Sequence, residues 1–147
     1  MPDQPNTILI RTAIERDYPE ITRIQQTSPE AAQWPVGDYS NYRVLLAVLA
    51  SGGSQVPAGF CAWRQSTPDE AELLNLAVEP ANRRHGVASA LLSALEREAT
   101  GELFLEVAES NLPAIALYEH LGWVKTGTRI GYYHSGKING IVMQKRP

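Results

Sequence analysis

The chain has 147 residues, enough for one domain with a sizeable core. Its 44% hydrophobic and 20% charged content is that of a globular protein and excludes a disordered chain. With 13 Lys+Arg against 16 Asp+Glu, the net charge is −3, so there is no general basic field for wrapping nucleic acid.

Residues 7–14, TILIRTAI, alternate as a first strand should. Tyr18, Ile21 and Ile24 or Gln25 then recur at helical spacing, with Asp17 placed as N-cap, Pro19 in the first turn and Glu20 three residues after the cap. Residues 28–42 hold Pro29, Pro35 and Gly37 with no clear period, which predicts a loop or short irregular helix bearing Trp34, Tyr39 and Tyr42. Aromatics in that position either staple the loop to the core or wall a substrate groove. Residues 43–50 and 58–65 are apolar runs on either side of the turn SGGSQVP, the pattern of an antiparallel hairpin. Cys61, the only cysteine, sits in the second run; it has no partner for a disulfide, and a small buried core residue is its ordinary role. Residues 70–78 predict the central strand, which Pro80 and Asn82 end.

Ala88, Leu91, Leu92, Leu95 and Ala99 form one apolar stripe of a helix that Thr100-Gly101 closes. The run 103–108, LFLEVA, is apolar on both faces and predicts a strand covered on both sides. Ser110 and Asn111 are N-cap types, Pro113 fits a first turn and Gly122 a C-terminus, giving a helix over 112–121. A strand from Trp123 to Tyr133, a turn at His134–Lys137 and a last strand over 138–144 complete an α/β pattern, one domain over residues 1–147. The N-terminal MPDQPN lacks a charged-then-apolar signal pattern, and no apolar run approaches the ~18 residues of a membrane span. A cytoplasmic protein without membrane or nucleic-acid partners is expected.

The stretch 72–99 carries the chemistry. Its turn, Arg83-Arg84-His85-Gly86-Val87-Ala88, lies where an apolar strand hands over to a helix. First-turn N–H groups have no partner inside a helix, and its dipole is positive there, so the place suits a phosphate. Gly86 and Ala88 keep the wall small, and Arg83 and Arg84 offer charge-assisted bonds. The spacing fits neither a P-loop, which requires Lys-Ser/Thr after its second glycine, nor a dinucleotide fingerprint. As a bare motif it reads equally as a helix start with two solvated arginines.

NLAVEPANRRHGVASALLSALE (residues 75–96) followed by LFLEVAESNLPAIALYEHLGW (residues 103–123) resembles the GNAT acyltransferase superfamily. Within it, the pattern is similar to the bacterial enzymes that acetylate the N-terminal alanine of a ribosomal protein. The resemblance implies a mixed central sheet of about six or seven strands, about four flanking helices and a splayed strand pair that takes the cofactor. It implies acetyl-CoA as donor, with no metal, and a protein N-terminus as acceptor. The pyrophosphate falls to Arg83, Arg84, His85, Gly86, Val87, Ala88 and Ser89. The pantetheine arm falls to the strand Leu76, Ala77 and Val78 and to Asn111.

Glu106 is the only acid in the run 103–108, and a carboxylate there must find partners, water or a proton. Burial there is expected to raise its pKa toward the range of a working base. It is either a structural carboxylate or a general base; the resemblance implies the base. Tyr118 lies on the apolar face formed with Ala114, Leu117 and Leu121, an ordinary core position. The resemblance makes it the acid that protonates the departing thiolate. Trp34, Tyr39, Tyr132 and Tyr133 are the residues it implies for the acceptor groove. Acetylation of a small amine or a lysine, and acyl-CoA binding without catalysis, stay open as alternatives.

Overall fold

The computed structural model describes residues 7–29, 31–133 and 136–146. Its elements in chain order are β1 (Thr7–Thr12), α1 (Tyr18–Gln26), β2 (Arg43–Ser51), β3 (Ser54–Thr67), β4 (Glu70–Val78), α2 (Val87–Glu98), β5 (Glu102–Ala108), α3 (Leu112–His120), β6 (Val124–Tyr133) and β7 (Ile138–Lys145). Short 3-10 segments lie at Glu15–Asp17, Val36–Asn41 and Pro80–Asn82. The expected four helices are met when the six residues Val36–Asn41 are counted beside the three α-helices. The seven strands form one sheet in the order β1-β2-β3-β4-β5-β7-β6, with β4 and β5 parallel and β1–β2, β2–β3, β5–β7 and β6–β7 antiparallel.

Two compact units make up the chain. One takes in the residues up to Arg64 together with Asn75–Glu98. Its core joins Ile21 and Ile24 of α1 to Val44, Leu46 and Val48 of β2, Phe60 and Ala62 of β3, Ala77 of β4 and Tyr39. The alternate side chains of β2 face the other way, and α2 packs on β1 and β2 with Val87, Leu91 and Leu95 fully covered. Cys61 is buried in β3, and burial pushes its thiol up to about 12, so it is a small core residue and no nucleophile.

The β2–β3 hairpin is tighter than its sequence predicts. Ser51 pairs with Ser54 across Gly52-Gly53, both at positive φ, so β3 starts four residues before the expected 58. Farther on, Val48 pairs with Pro57 while Ala47 pairs with Gly59, leaving Ala58 as the extra residue of a bulge. The Ala58 carbonyl accepts the Glu79 N–H just past the end of β4 (2.8 Å). A Cβ on Gly59 would stand 2.9 Å from the Ala77 carbonyl, so only glycine permits this backbone approach.

Asp17 departs from the expected cap. Its side chain makes no capping bond to α1. It turns back instead, accepting both Arg11 guanidinium nitrogens (2.7 and 2.9 Å) and the Ile14 N–H (2.9 Å). The nearby guanidinium outcompetes an uncharged amide for the carboxylate.

The second unit contains Gln65–Leu74 and the chain from Ala99. Its β4–β5 ladder runs from Glu70↔Glu102 to Leu73↔Leu105 and stops, while β5 stays paired with β7 through Ala108↔Gly140. Leu103, Leu105 and Val107 are buried, but Phe104, Glu106 and Ala108 are only half-buried. The expectation of a strand covered on both faces therefore fails: the face with Glu106 stays partly open to solvent. At the sheet edge β6 is mostly exposed. Between Arg129↔Gly140 and Tyr133↔Ile138 it carries three residues against one, a bulge in which Gly131 takes positive φ and donates its N–H to Asn139 Oδ1 (2.9 Å). Of the expected turn His134–Lys137, His134 and Ser135 lie outside the described residues.

Candidate active site

The turn expected to hold phosphate is built by backbone conformation. Arg84 has φ +64, the only non-glycine positive φ among the described residues, and Gly86 has φ +84. These two left-handed positions swing the chain from β4 into α2. The Gly86 carbonyl accepts the Ala90 N–H (3.0 Å), so the first-turn amides of Val87, Ala88 and Ser89 are those a helix leaves unpaired. Val87 is buried in the core, Ala88 and Ser89 are half-buried, and Arg84, His85 and Gly86 are exposed. Arg83, expected as a phosphate ligand, has partners within the fold. Its Nε donates to the Val78 carbonyl (3.2 Å) and its Nη2 to Ser28 Oγ (2.9 Å), so the guanidinium braces the turn from below. On β4, Ala77 is buried and Leu76 and Val78 are half-buried; all three lie past the end of the ladder with β5.

The aromatic segment 34–42 resolves into separate roles. Tyr39 is fully covered, with Tyr18, Trp34 and Phe60 around its ring, and its hydroxyl donates to Gln25 Oε1. Burial raises the phenol to about 12, which keeps it a neutral donor. Tyr39 is therefore the core staple and lines no surface for an acceptor; its expected place in the groove is withdrawn. Trp34 lies between Tyr39 and Tyr42 with tilted rings and remains partly exposed.

In the second unit, Glu106 does not stand alone. Arg129 Nη1 lies 3.3 Å from both carboxylate oxygens, and the guanidinium sits 4.1 Å above the Tyr132 ring. Tyr132 meets Tyr133 edge-on at 4.9 Å. Burial, with the Glu106 and Tyr132 side chains beside it, raises the Tyr133 phenol above its usual value, against the pull of Arg129. A Cβ on Gly140 would lie 3.2 Å from Tyr133 and 3.5 Å from Glu106 and Tyr132, so glycine at that point of β7 keeps the three side chains in one cluster. The bulge in β6 turns Tyr132 and Tyr133 toward it. On α3, Asn111 Oδ1 accepts the Ala114 N–H (3.3 Å), the expected cap, which leaves the amide nitrogen available to a ligand. Tyr118, in the last turn of the helix, is buried against Trp123 (ring centroids 5.9 Å).

Glu106, Tyr132 and Tyr133 are thus brought together, and Trp34 and Tyr39 meet in a separate cluster. Two polar residues escape a reading of the sequence. Asn75 is a buried amide that both donates to and accepts from the Ala32 backbone (2.9 and 3.1 Å), clamping the loop before Trp34. It carries the same signal as Glu106, a lone polar residue in an apolar run, here residues 73–78. Arg129 carries none, because its partner is set by strand register.

Residues 9–123 match the Acetyltransferase (GNAT) family. The chain is 43% identical over 136 residues to the ribosomal protein bS18-alanine N-acetyltransferase of Escherichia coli strain K12, covering 86% of this chain and 89% of that protein. The crystal structure of the ribosomal-protein-S18-alanine N-acetyltransferase from Escherichia coli aligns with a TM-score of 0.76 at 31% identity, over 95% of this chain and 94% of that one. Arabidopsis thaliana NAA60 in complex with acetyl-CoA shares the fold, with a TM-score of 0.80 at 17% identity over 95% of this chain and 98% of that one. A sheet of this strand order, with a glycine-linked helix start after its fourth strand and a family match over most of the sequence, places the chain in the GNAT acetyltransferase family.

Proposed function

We propose that this single transferase domain moves the acetyl group of acetyl-CoA to the N-terminal α-amino group of a protein, with the N-terminal alanine of a ribosomal protein as acceptor. The observation that carries the proposal is the 43% identity, over most of both chains, to an enzyme named for that reaction. A cytoplasmic location follows from such an acceptor, and no helix among the described residues is long and apolar enough to cross a membrane.

The chemistry has three requirements. The amine must be neutral: an α-amino group near 7.7–8.0 is roughly a tenth to a sixth neutral at pH 7, whereas a lysine near 10.4 is well below a thousandth. A base therefore helps either acceptor, and Glu106, whose side chain on β5 is 18% exposed, takes the proton directly or through a water. The thioester oxygen gathers charge and needs a donor, which a backbone N–H at Ala77 or Val78 can supply. The leaving thiolate needs a proton, the role given to Tyr118. The amides of Val87, Ala88 and Ser89, beside Arg84 and His85, seat the pyrophosphate, while Leu76–Val78 and the Asn111 amide hold the pantetheine arm. Arg83 supports that seat from behind. Trp34, Tyr132 and Tyr133 remain for the acceptor.

A mass-shift screen tests the acceptor. Incubated with acetyl-CoA, a ribosomal-protein N-terminal peptide beginning with alanine is expected to gain one acetyl group. An unmodified peptide beside an acetylated small amine or lysine would move the protein to that branch of the family. Acetyl-CoA binding without any transfer would leave a non-catalytic binder.

A further inference from the structure

We propose that Arg129 is a positioning residue for the general base, acting through Glu106; this rests on Glu106 being that base. Among the described residues, Arg129 is the cation that meets the Glu106 carboxylate, and it does so in an unusual way. A single nitrogen, Nη1, spans both oxygens at 3.3 Å. Charge-assisted bonds of this type close to about 2.7–2.9 Å, and arginine commonly engages a carboxylate with two nitrogens. The contact here is loose and symmetric. A carboxylate offers about four lone-pair sites, so one nitrogen held between the oxygens leaves the outer ones for an ammonium proton or a bridging water.

The guanidinium is kept in this halfway position from its other side. Its central carbon lies over the Tyr132 ring at 4.1 Å, and Tyr132 is braced edge-on by Tyr133. The bulge between Arg129 and Tyr133 creates this arrangement, since three residues on β6 face one on β7. Gly140, the register partner of both Ala108 and Arg129, supplies the clearance in which the Glu106, Tyr132 and Tyr133 side chains meet. The Arg129 side chain is 56% exposed, the setting in which an ion pair adds little to stability. Its placement is thus separable from folding.

The test compares Arg129→Gln, Arg129→Lys, Glu106→Gln and the double variant Arg129→Gln/Glu106→Gln in steady-state acetylation of the alanine peptide, each with its thermal midpoint. Arg129→Gln is expected to lower kcat about 10-fold, with KM for acetyl-CoA and the thermal midpoint unchanged, and Arg129→Lys to recover most of the loss. Because Arg129 acts through Glu106, the double variant should be no slower than Glu106→Gln alone. Full activity of Arg129→Gln beside a slow Glu106→Gln overturns the proposal and leaves the base in place. A double variant slower than Glu106→Gln by the same factor also overturns it, since Arg129 would then act elsewhere. Full activity of Glu106→Gln removes the base assignment, and this proposal with it.

Discussion

Glu106 and Tyr118 carry the sharpest expectations at the level of single side chains. Glu106→Gln keeps the shape and the contact with Arg129 but cannot take a proton, so kcat is expected to fall on the order of 10²–10⁴-fold while acetyl-CoA still binds. Unchanged transfer by that variant would make Glu106 a structural carboxylate. Tyr118→Phe keeps the ring against Trp123 and removes only the hydroxyl. A kcat reduced by roughly 10²-fold is expected if that hydroxyl protonates the thiolate, and an unchanged kcat would return Tyr118 to the core. Asn75 belongs to stability instead. Asn75→Ala strands both the N–H and the carbonyl of Ala32, at a cost of about 2–3 kcal/mol, readable as a lower denaturant midpoint. Glu106 is legible in the sequence because an acid in an apolar strand demands an explanation. Asn75 gives the same signal more faintly, being uncharged, and Arg129 gives none, since an arginine on an exposed edge strand is ordinary until the bulge aims it.

Local pattern fixes elements better than it fixes their ends. The hydrophobic periods of α1, α2 and the strands place each element, but side chains at the boundaries choose among partners the pattern does not reveal. Asp17 has every mark of an N-cap and takes Arg11 instead. The Arg11 hydrogen bond holds its carboxyl below the usual value, against the effect of burial and with help from the Ile14 N–H. A carboxyl whose folded value lies below its unfolded value of ~3.9 contributes fully above about pH 4 and loses that contribution as pH falls through the folded value. Asp17→Asn should therefore lower stability by about 1 kcal/mol or less at pH 7, with the gap to the parent closing below about pH 4 in acid titrations of the unfolding midpoint. Gly101 marks another boundary, where α2 gives way to β5. At φ +81, a Cβ there would lie 1.9 Å from the Asp69 carbonyl oxygen. Gly101→Ala is expected to cost on the order of 2–4 kcal/mol by thermal or denaturant unfolding, since backbone cannot withdraw as a flexible side chain would.

For the molecule as a whole, the donor seat predicts linkage. Acetyl-CoA and CoA share the pyrophosphate and pantetheine, so both should raise stability, by about 2.7 kcal/mol at a concentration 100-fold above Kd. Thermal shifts that appear with neither ligand would remove the donor assignment. What the sequence determined by itself was whatever repeats with a local period or sits at a local junction: an α/β chain, the order of its strands and helices, a helix start suited to phosphate, and one conspicuous acid. The tertiary structure decided everything that depends on residues distant in the chain. It converted Tyr39 from groove to core, tied Arg83 to Val78 and Ser28, left the Glu106 face partly open to solvent, and set Arg129 beside that carboxylate. The physical reason is that periodicity reports which side of an element is apolar, whereas the partner of a polar group is settled by strand register, bulges and glycine clearances that no single segment encodes.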